Sequence, residues 1–265
     1  MKAVQLLRIG QDPELDELAV PSPGAGEVRV GVRACGICGS DVHVVDGSIA
    51  TSNLPMTLGH EAAGVVDGVG AGVHDLAPGT RVLINPIVTC GSCPACVAGQ
   101  ENLCPENQVL GVHRAGAHAE FVVVPRQNVL PIPDSIDFPT AAIMADAVAG
   151  PYRAIKRSGL RAGDTAVVFG LGGLGLHACM LLEQVFGVRV IGVDIYDGAL
   201  ARATGFGVDE VFDGRNARVS DEIRRATGGV DAAFEFVGHT QVIEQALRSV
   251  RPGGSVVVMG LTDQR

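Results

Sequence analysis

A glycine-rich segment in the second half of the chain restricts most strongly what this sequence can fold into. It runs Gly170-Leu171-Gly172-Gly173-Leu174-Gly175, after an apolar stretch at 165–169 and before a helical pattern. Glycines at these spacings let the backbone approach a pyrophosphate, and the N-terminus of the following helix offers free N–H groups. Because 36 of the 265 residues are glycine, the motif alone is also compatible with an ordinary tight turn.

An acidic residue at a fitting distance favours the nucleotide interpretation. Asp194 ends the next predicted strand, 24 residues after Gly170, where a carboxylate can accept a hydrogen bond from a ribose 2′-hydroxyl. A carboxylate also repels a 2′-phosphate, so the sequence favours NAD over NADP. We therefore predict a dinucleotide site formed by Gly170, Gly172, Gly173, Leu174, Gly175 and Asp194.

The pattern of apolar segments changes near residue 150. Residues 1–149 contain short valine-rich segments, such as 27–32, 62–66 and 120–124, between Pro, Gly and Asp clusters, which predicts a strand-rich domain. Residues 150–265 alternate apolar segments with helical patterns, which is typical of βαβ units around a doubly wound parallel sheet in an α/β fold. The predicted strands of this part are 165–169, 189–195, 210–213, 231–237 and 255–259.

Four of the seven cysteines lie close together in the sequence, at Cys90, Cys93, Cys96 and Cys104. Four thiolates complete the tetrahedral shell of a zinc ion and leave no coordination position open. The spacing therefore predicts a structural zinc site rather than a catalytic one. The alternative is a set of unrelated buried or redox-active thiols.

Composition excludes several classes of function. The formal net charge of −9 is opposite in sign to that of a nucleic-acid-binding surface, so we expect no nucleic-acid partner. We expect no membrane span, because segment 165–182, which carries no formal charge, is interrupted by glycines and a histidine. The first residues lack a signal-peptide pattern, and the cysteines suit metal chemistry better than disulfides, so we expect a cytoplasmic protein.

A second group of candidate metal ligands is spread over the first domain. Cys38 lies in the segment Cys-Gly-Ile-Cys-Gly-Ser-Asp-Val-His (35–43), His60 precedes Glu61, and Asp146 stands between two alanines. Spacing alone leaves their role open. A single histidine is commonly a hydrogen-bonded core residue, and the two cysteines of the segment could form a redox dithiol.

In this order, segment 35–43, the Gly59-His60-Glu61 motif, the four-cysteine cluster and the glycine-rich loop occur in zinc-dependent medium-chain alcohol dehydrogenases. The sequence resembles this family over essentially its whole length. The resemblance implies a GroES-like catalytic domain at 1–149, a Rossmann-type dinucleotide-binding domain at 150–265, two zinc ions and NAD. It also implies a small alcohol or carbonyl compound as the substrate, and a homo-oligomer.

The resemblance also implies the ligands of the two zinc ions. Cys38 and His60 would hold the catalytic zinc ion with Asp146 as the third ligand, and the four clustered cysteines would hold the structural one. Glu61 is the alternative third ligand, because it is a ligand in some polyol-oxidising relatives. A thiolate, a carboxylate and a neutral imidazole together carry the same charge of −2 as two thiolates and an imidazole.

Three further residues of the first domain acquire roles through the resemblance. Ser40 and His43 would carry the substrate proton to solvent by way of the cofactor ribose. Asp41 would accept a hydrogen bond from the ring nitrogen of His60 that faces away from the metal, a common arrangement for metal-bound histidine.

Three functions are compatible with the sequence. The first is zinc-dependent hydride transfer between an alcohol or carbonyl compound and NAD, and the second is a polyol, sugar or amino-alcohol dehydrogenase of the same family. The third is a non-catalytic NAD- and zinc-binding product. This third function would follow from a truncation that we expect, because the sequence stops after the fifth predicted strand. Members of the family usually continue with further strands and helices, which complete the active site and the subunit interface.

Overall fold

The chain folds into two units. The computed structural model describes residues 1–51 and 53–261, and it divides into unit 1 (Met1–Asp146) and unit 2 (Ala147–Arg265). The domain bounds 1–149 and 150–265 stay a prediction. Within the described residues, no helix combines the length and apolarity needed to cross a membrane.

Unit 1 is built on a five-stranded antiparallel sheet with the strand order β10-β6-β5-β3-β9. In β3, Val28 and Val30 enter the core while Arg29 between them is half-buried, as expected of a strand with one apolar face. A three-stranded sheet (β2-β1-β4) and a two-stranded one (β7-β8) lie beside it in the same unit. The strands are β1 (Lys2–Leu6), β2 (Glu14–Glu17), β3 (Glu27–Gly36), β4 (Met56–Thr57), β5 (Glu61–Val69), β6 (Arg81–Ile84), β7 (Ile87–Val88), β8 (Gln108–Val109), β9 (Phe121–Pro125) and β10 (Val129–Pro131).

The helices of unit 1 are short and begin at residues that cap them. Helix α1 (Gly39–Asp46) follows Cys38 and ends at Gly47, whose φ of 86° is the left-handed conformation that favours glycine. Helix α2 (Pro94–Val97) lies among the clustered cysteines. Helix α3 (Phe138–Ile143) starts where Asp137 accepts a hydrogen bond from the Thr140 amide, and it runs into a π-helical turn, Met144–Val148.

Unit 2 contains a five-stranded parallel sheet in the order β13-β12-β11-β14-β15, which confirms the predicted doubly wound α/β fold. In β11, Ala166 and Val168 enter one core while Val167 and Phe169 enter the other, so both faces of the sheet are covered. The strands are β11 (Thr165–Phe169), β12 (Arg189–Asp194), β13 (Glu210–Asp213), β14 (Val230–Glu235) and β15 (Val250–Val258).

Helices α4, α5 and α6 cover the first face of this sheet, and α7 and α8 cover the second. They are α4 (Ala149–Ser158), α5 (Gly173–Gln184), α6 (Asp197–Ala203), α7 (Val219–Thr227) and α8 (Thr240–Ser249). The predicted strand 231–237 ends earlier, at Glu235, because the chain turns at Gly238 with a φ of 83°. The predicted strand 255–259 begins earlier, at Val250, after an irregular register with β14.

Two glycines of β5 differ in the space around them, and this difference predicts a stability effect. A methyl group at Gly64 would lie 2.2 Å from the carbonyl oxygen of Gly31 on β3, whereas one at Gly68 would meet only an Arg29 side-chain nitrogen at 3.8 Å. We therefore expect Gly64→Ala to lower the free energy of unfolding by about 2 kcal/mol, through overpacking. The measurement is urea denaturation followed by circular dichroism, with Gly68→Ala as the matched control. Equal stability of the two variants would contradict the close approach of β3 and β5.

Candidate functional site

Three side chains of unit 1 converge on one point. Cys38 Sγ lies 3.5 Å and His60 Nε2 3.6 Å from Asp146 Oδ2, and the three ligand atoms all lie within 4.8 Å of one another. At ordinary bond lengths, sulfur, nitrogen and oxygen ligands of a tetrahedral zinc ion stand about 3.4 to 3.6 Å apart. The three atoms therefore fit a zinc ion and leave its fourth position open.

Asp41 fixes the relative position of two of these candidate ligands. Its carboxylate accepts hydrogen bonds from the amides of Cys38 (2.9 Å) and Gly59 (3.2 Å), and its Oδ1 lies 3.4 Å from His60 Nδ1. Because Nδ1 faces Asp41, Nε2 is the ring nitrogen that faces Asp146. Asp41 is buried on the first turn of α1, so one carboxylate joins the loop before α1 to the loop before β5.

The charges around His60 favour a cation. Burial disfavours the imidazolium form, yet hydrogen bonds to Asp146, Asp41 and Cys38 raise the pKa of His60 to about 12. For Asp41, burial acts against ionisation, but the hydrogen bonds from His60 and from the Cys38 amide outweigh it and lower the pKa of the carboxyl. A buried position that stabilises positive charge this strongly fits a divalent metal ion.

Ser40 and His43 lie one helical turn apart on α1. Ser40 Oγ is 3.3 Å from His60 Nε2, so the hydroxyl lies beside the three converging side chains. His43 Nδ1 is buried and has no hydrogen-bond partner among the residues that the structure describes, and the Asp46 carboxylate lies 3.7 Å from it.

Glu61 is buried but is not a member of the three-residue group. It begins β5 opposite Gly36 of β3, and a methyl group at Gly36 would lie 2.0 Å from Glu61 Oε2. The carboxylate thus occupies the space that a side chain at Gly36 would take.

The four clustered cysteines also converge. Their sulfur atoms lie within 4.8 Å of one another, with separations of 3.5 Å (Cys93–Cys96), 3.6 Å (Cys90–Cys104) and 4.0 Å (Cys90–Cys96). Four thiolates around a tetrahedral zinc ion stand about 3.8 Å apart. The backbone amides of Ser92 and Cys93 donate to the Cys90 sulfur and lower its pKa to about 6, which favours the thiolate that binds metal. The cluster fits a closed, structural zinc site.

The glycine-rich loop of unit 2 joins β11 to α5. Gly170 has a φ of 87°, and a methyl group at Gly175 would lie 1.8 Å from the Gly170 carbonyl oxygen, so the turn excludes larger residues at both positions. Gly172 and Gly173 are exposed at the N-terminus of α5, and nothing lies within 4 Å of a methyl group built on either. Leu174 follows, half-buried, in the first turn. The loop therefore has the tight turn and the open backbone that a pyrophosphate needs.

Asp194 lies at the carboxyl end of β12, beside this loop. Its carboxylate accepts hydrogen bonds from the amides of Leu171 (2.7 Å) and Tyr196 (2.9 Å). Together with Gly170, Gly214 and Val237, it lines a cavity of about 450 Å³. A dinucleotide binds at this end of the strands in open α/β sheets, so the cavity fits the adenosine end of the cofactor.

Spacing gives no signal for His118, yet it contacts both loops that carry candidate zinc ligands. Its Nε2 donates to the Gly36 carbonyl oxygen at 3.1 Å, two residues before Cys38. Its ring packs so closely on Gly59, the residue before His60, that a methyl group there would lie 2.5 Å from the ring. The contact joins residues distant in sequence, so only the folded chain reveals it.

A second residue without a sequence signal is Glu235, at the end of β14. It is fully buried, and its Oε1 accepts hydrogen bonds from the amides of Val237 and Gly238, both at 2.8 Å. Its Oε2 has no hydrogen-bond partner among the described residues. Val237 in turn lies against Gly170, since a methyl group at Gly170 would be 2.8 Å from the Val237 side chain. Glu235 therefore holds a wall of the cavity.

Two family models match the sequence. The alcohol dehydrogenase GroES-like domain matches residues 24–134, and the zinc-binding dehydrogenase domain matches residues 173–265. An alcohol dehydrogenase of Geobacillus stearothermophilus is 34% identical over 263 residues, which cover 98% of this chain and 78% of the relative. This chain belongs to the zinc-dependent medium-chain alcohol dehydrogenases. The resemblance noted in the sequence is thereby confirmed.

Other members of the family act on other substrates or bind another cofactor. A sorbitol dehydrogenase of Bacillus subtilis is 35% identical, over 95% of this chain and 72% of that protein. The crystal structure of a zinc-binding dehydrogenase from Sinorhizobium meliloti 1021, bound to NADP, is 34% identical with a TM-score of 0.91, and the match covers 99% of this chain and 77% of that one.

Membership confirms several predictions. The chain is a zinc-dependent, NAD-linked oxidoreductase that acts on a small-molecule alcohol or carbonyl compound, and its fold combines a GroES-like domain with a Rossmann-type domain. The enzymatic interpretation therefore holds over the non-catalytic binding protein.

The His118 contact predicts an effect on metal retention. We expect His118→Ala to raise the rate of zinc loss to a chelator about tenfold, because the loops before Cys38 and His60 lose a shared support. The control is His74→Ala, in which an exposed histidine on another loop is removed. Zinc release is measured with a colorimetric chelator, and equal rates in both variants would contradict the role of His118.

Proposed function

We propose that Cys38, His60 and Asp146 hold the catalytic zinc ion, and that the chain interconverts a small alcohol and its carbonyl compound. The observation that carries this proposal is the triangle of Sγ, Nε2 and Oδ2 atoms, with two sides of 3.5 and 3.6 Å. Three ligands leave a fourth zinc position for a substrate oxygen. In the same proposal Cys90, Cys93, Cys96 and Cys104 hold a second, structural zinc ion.

The bound groups supply the central chemistry: zinc is a Lewis acid toward the substrate oxygen, and NAD takes up the hydride. The residues of the chain tune this centre by charge. A thiolate, a carboxylate and a neutral imidazole balance the two positive charges of the ion. Asp41 keeps a proton on His60 Nδ1, so that Nε2 is free to act as a ligand.

Ser40 and His43 serve as the proton path in this proposal. Ser40 Oγ, 3.3 Å from His60 Nε2, can accept a proton from the substrate hydroxyl and pass on its own. His43 lies one turn further along α1 as the next group of the path, with its buried Nδ1 3.7 Å from the Asp46 carboxylate. The path through the cofactor ribose remains part of the proposal.

The proposed cofactor residues bind two parts of NAD, the pyrophosphate and the adenosine ribose. Gly170 and Gly175 make the turn, while Gly172, Gly173 and Leu174 present the backbone of the first turn of α5 to the pyrophosphate. Asp194 accepts a hydrogen bond from the 2′-hydroxyl of the ribose and disfavours the 2′-phosphate of NADP.

The third zinc ligand bears on the substrate class. Asp146 lies within reach of Cys38 and His60, whereas Glu61 lies against Gly36, which supports a simple alcohol as the substrate. The second candidate is a polyol, supported by the 35% identity to a sorbitol dehydrogenase. Steady-state rates of NAD reduction with a panel of primary alcohols, secondary alcohols and polyols discriminate between the two.

The proposal also includes a cytoplasmic location and a homo-oligomer.

Replacing one proposed catalytic ligand tests the metal assignment. We expect Cys38→Ala to lower NAD reduction by about a thousandfold, because the loss of Lewis-acid stabilisation costs several kcal/mol. The variant should also lose one of two zinc ions per chain, measured by atomic emission, since the four-cysteine site keeps its own.

The control for this experiment is Cys179→Ala, which removes a buried thiol of α5. Burial raises the pKa of Cys179 to about 12, so it is a poor metal ligand, and its variant should retain both zinc ions. Undiminished turnover of Cys38→Ala would contradict the assignment.

Replacing Asp194 tests the cofactor assignment. We expect Asp194→Gly to shift the ratio of kcat/KM for NAD over NADP by about tenfold toward NADP, because a hydrogen-bond acceptor and a negative charge are lost. The control is Glu210→Gln, which removes a carboxylate at the opposite end of β13, where it pairs with Arg189. An unchanged ratio in Asp194→Gly would remove Asp194 from the ribose role.

A further inference from the structure

An arginine beside the adenosine cavity is held by two carboxylates. The Arg215 guanidinium donates from Nε to Asp213 at 2.8 and 3.0 Å, and its Nη2 lies 2.8 Å from both Asp213 and Asp197. Asp213 ends β13, and Asp197 begins α6. The three side chains therefore form one charged group at the carboxyl edge of the sheet of unit 2.

This group lies next to the proposed ribose carboxylate. Asp213 pairs with Asp194 in the register of β12 and β13, and the Gly214 amide donates to the Asp194 carbonyl oxygen at 2.9 Å. Gly214 and Asp194 both line the cavity of about 450 Å³. Arg215 is thus one residue away from the cavity wall, at the end where the 2′ position of an adenosine ribose would lie.

Arg215 has the chemistry of a phosphate-binding arginine, but its donors are already hydrogen-bonded to carboxylates. A guanidinium binds a carboxylate and a phosphate through the same pair of parallel N–H donors, so Asp213 occupies the donors that a 2′-phosphate would need. All three side chains are substantially exposed, at 56% for Arg215, 79% for Asp197 and 46% for Asp213. Exposed ion pairs are weak, so a phosphate can compete for the arginine when a carboxylate is removed.

We propose that Arg215 determines cofactor choice together with Asp194, because Asp213 and Asp197 hold its guanidinium away from the 2′-phosphate of NADP. With Asp194, these three residues carry a formal charge of −2, which repels the dianionic 2′-phosphate. Removing Asp194 relieves part of the repulsion but leaves the arginine engaged. Removing Asp213 as well frees Nε and leaves only the exposed Asp197 on Nη2, for which a 2′-phosphate can compete, so that the cavity then accepts the 2′-phosphate. The inference rests on the proposed NAD site.

The experiment is a double-mutant cycle in the Asp194→Gly background of the full chain. Isothermal titration calorimetry measures the binding of 2′,5′-ADP, which carries the 2′-phosphate, and of 5′-AMP, which does not. Asp213→Asn is a suitable change because the amide oxygen can still accept from the Arg215 amide, now 2.9 Å from Asp213 Oδ1. We expect it to tighten 2′,5′-ADP binding about tenfold while 5′-AMP binding stays constant.

Two controls separate a freed arginine from a general change of charge. In the presence of Arg215→Ala, the gain from Asp213→Asn should fall to about twofold. Glu244→Gln also removes one negative charge and frees one arginine, Arg248, on α8, and it should leave 2′,5′-ADP binding unchanged. An equal gain from Asp213→Asn with and without Arg215 would overturn the proposal, as would the absence of any gain.

The 5′-AMP titration distinguishes a failure of the proposed NAD site from a failure of the role of Arg215. Neither titration depends on zinc, substrate or hydride transfer, so a failure of the proposed catalytic centre leaves the outcome of the cycle intact. If the wild-type chain did not bind 5′-AMP, both the proposed NAD site and the role of Arg215 would be contradicted.

Discussion

The hydrogen bonds of one buried carboxylate hold the candidate catalytic centre together. Asp41 binds the Cys38 amide, the Gly59 amide and the His60 ring, so the two loops that supply a thiolate and an imidazole share one anchor. Each loop is irregular, and its geometry depends on that anchor. The site can be open to solvent on one side and still keep ligand atoms at the separations a metal ion requires, because the support lies behind the ligands.

In unit 2, glycines and Glu235 hold the loops at the carboxyl end of the parallel sheet. The loops that follow β11, β14 and β15 pack closely on one another: a methyl group at Gly170 in the first would lie 2.8 Å from the Val237 side chain in the second, and one at Gly238 or Gly260 would lie 2.0 Å from a backbone atom across the second and third loops. Glu235 holds the second of these loops through two amides, and its own carbonyl oxygen accepts from Met259 and Gly260 in the third. Close packing of backbone thus shapes the cofactor end of the sheet.

The sequence predicted those parts of the molecule that depend on local patterns. The strands of the parallel sheet, the four-cysteine cluster and the glycine-rich loop are each encoded within a few residues by periodicity or spacing. Asp146 was one of two candidate third ligands in the sequence, with Glu61 as the alternative, and only the fold brings its Oδ2 within 3.6 Å of Cys38 and His60. His118, Glu235 and Arg215 had no sequence signal at all. Their contacts join loops that are distant in sequence. Histidine, glutamate and arginine are also common at positions without a functional role, so the residue type alone gives no signal.

The π-helical turn that carries Asp146 makes the candidate metal centre depend on the number of residues in that turn as well as on residue type. Such a turn contains one residue more than an α-helical turn, and each residue advances the side chain by about 100° around the helix axis. Loss of one residue between Ile143 and Asp146 would restore regular winding and turn the carboxylate away from its two partners. A deletion there would therefore move the Asp146 carboxylate away from the candidate metal centre, even with Cys38, His60 and Asp146 all retained.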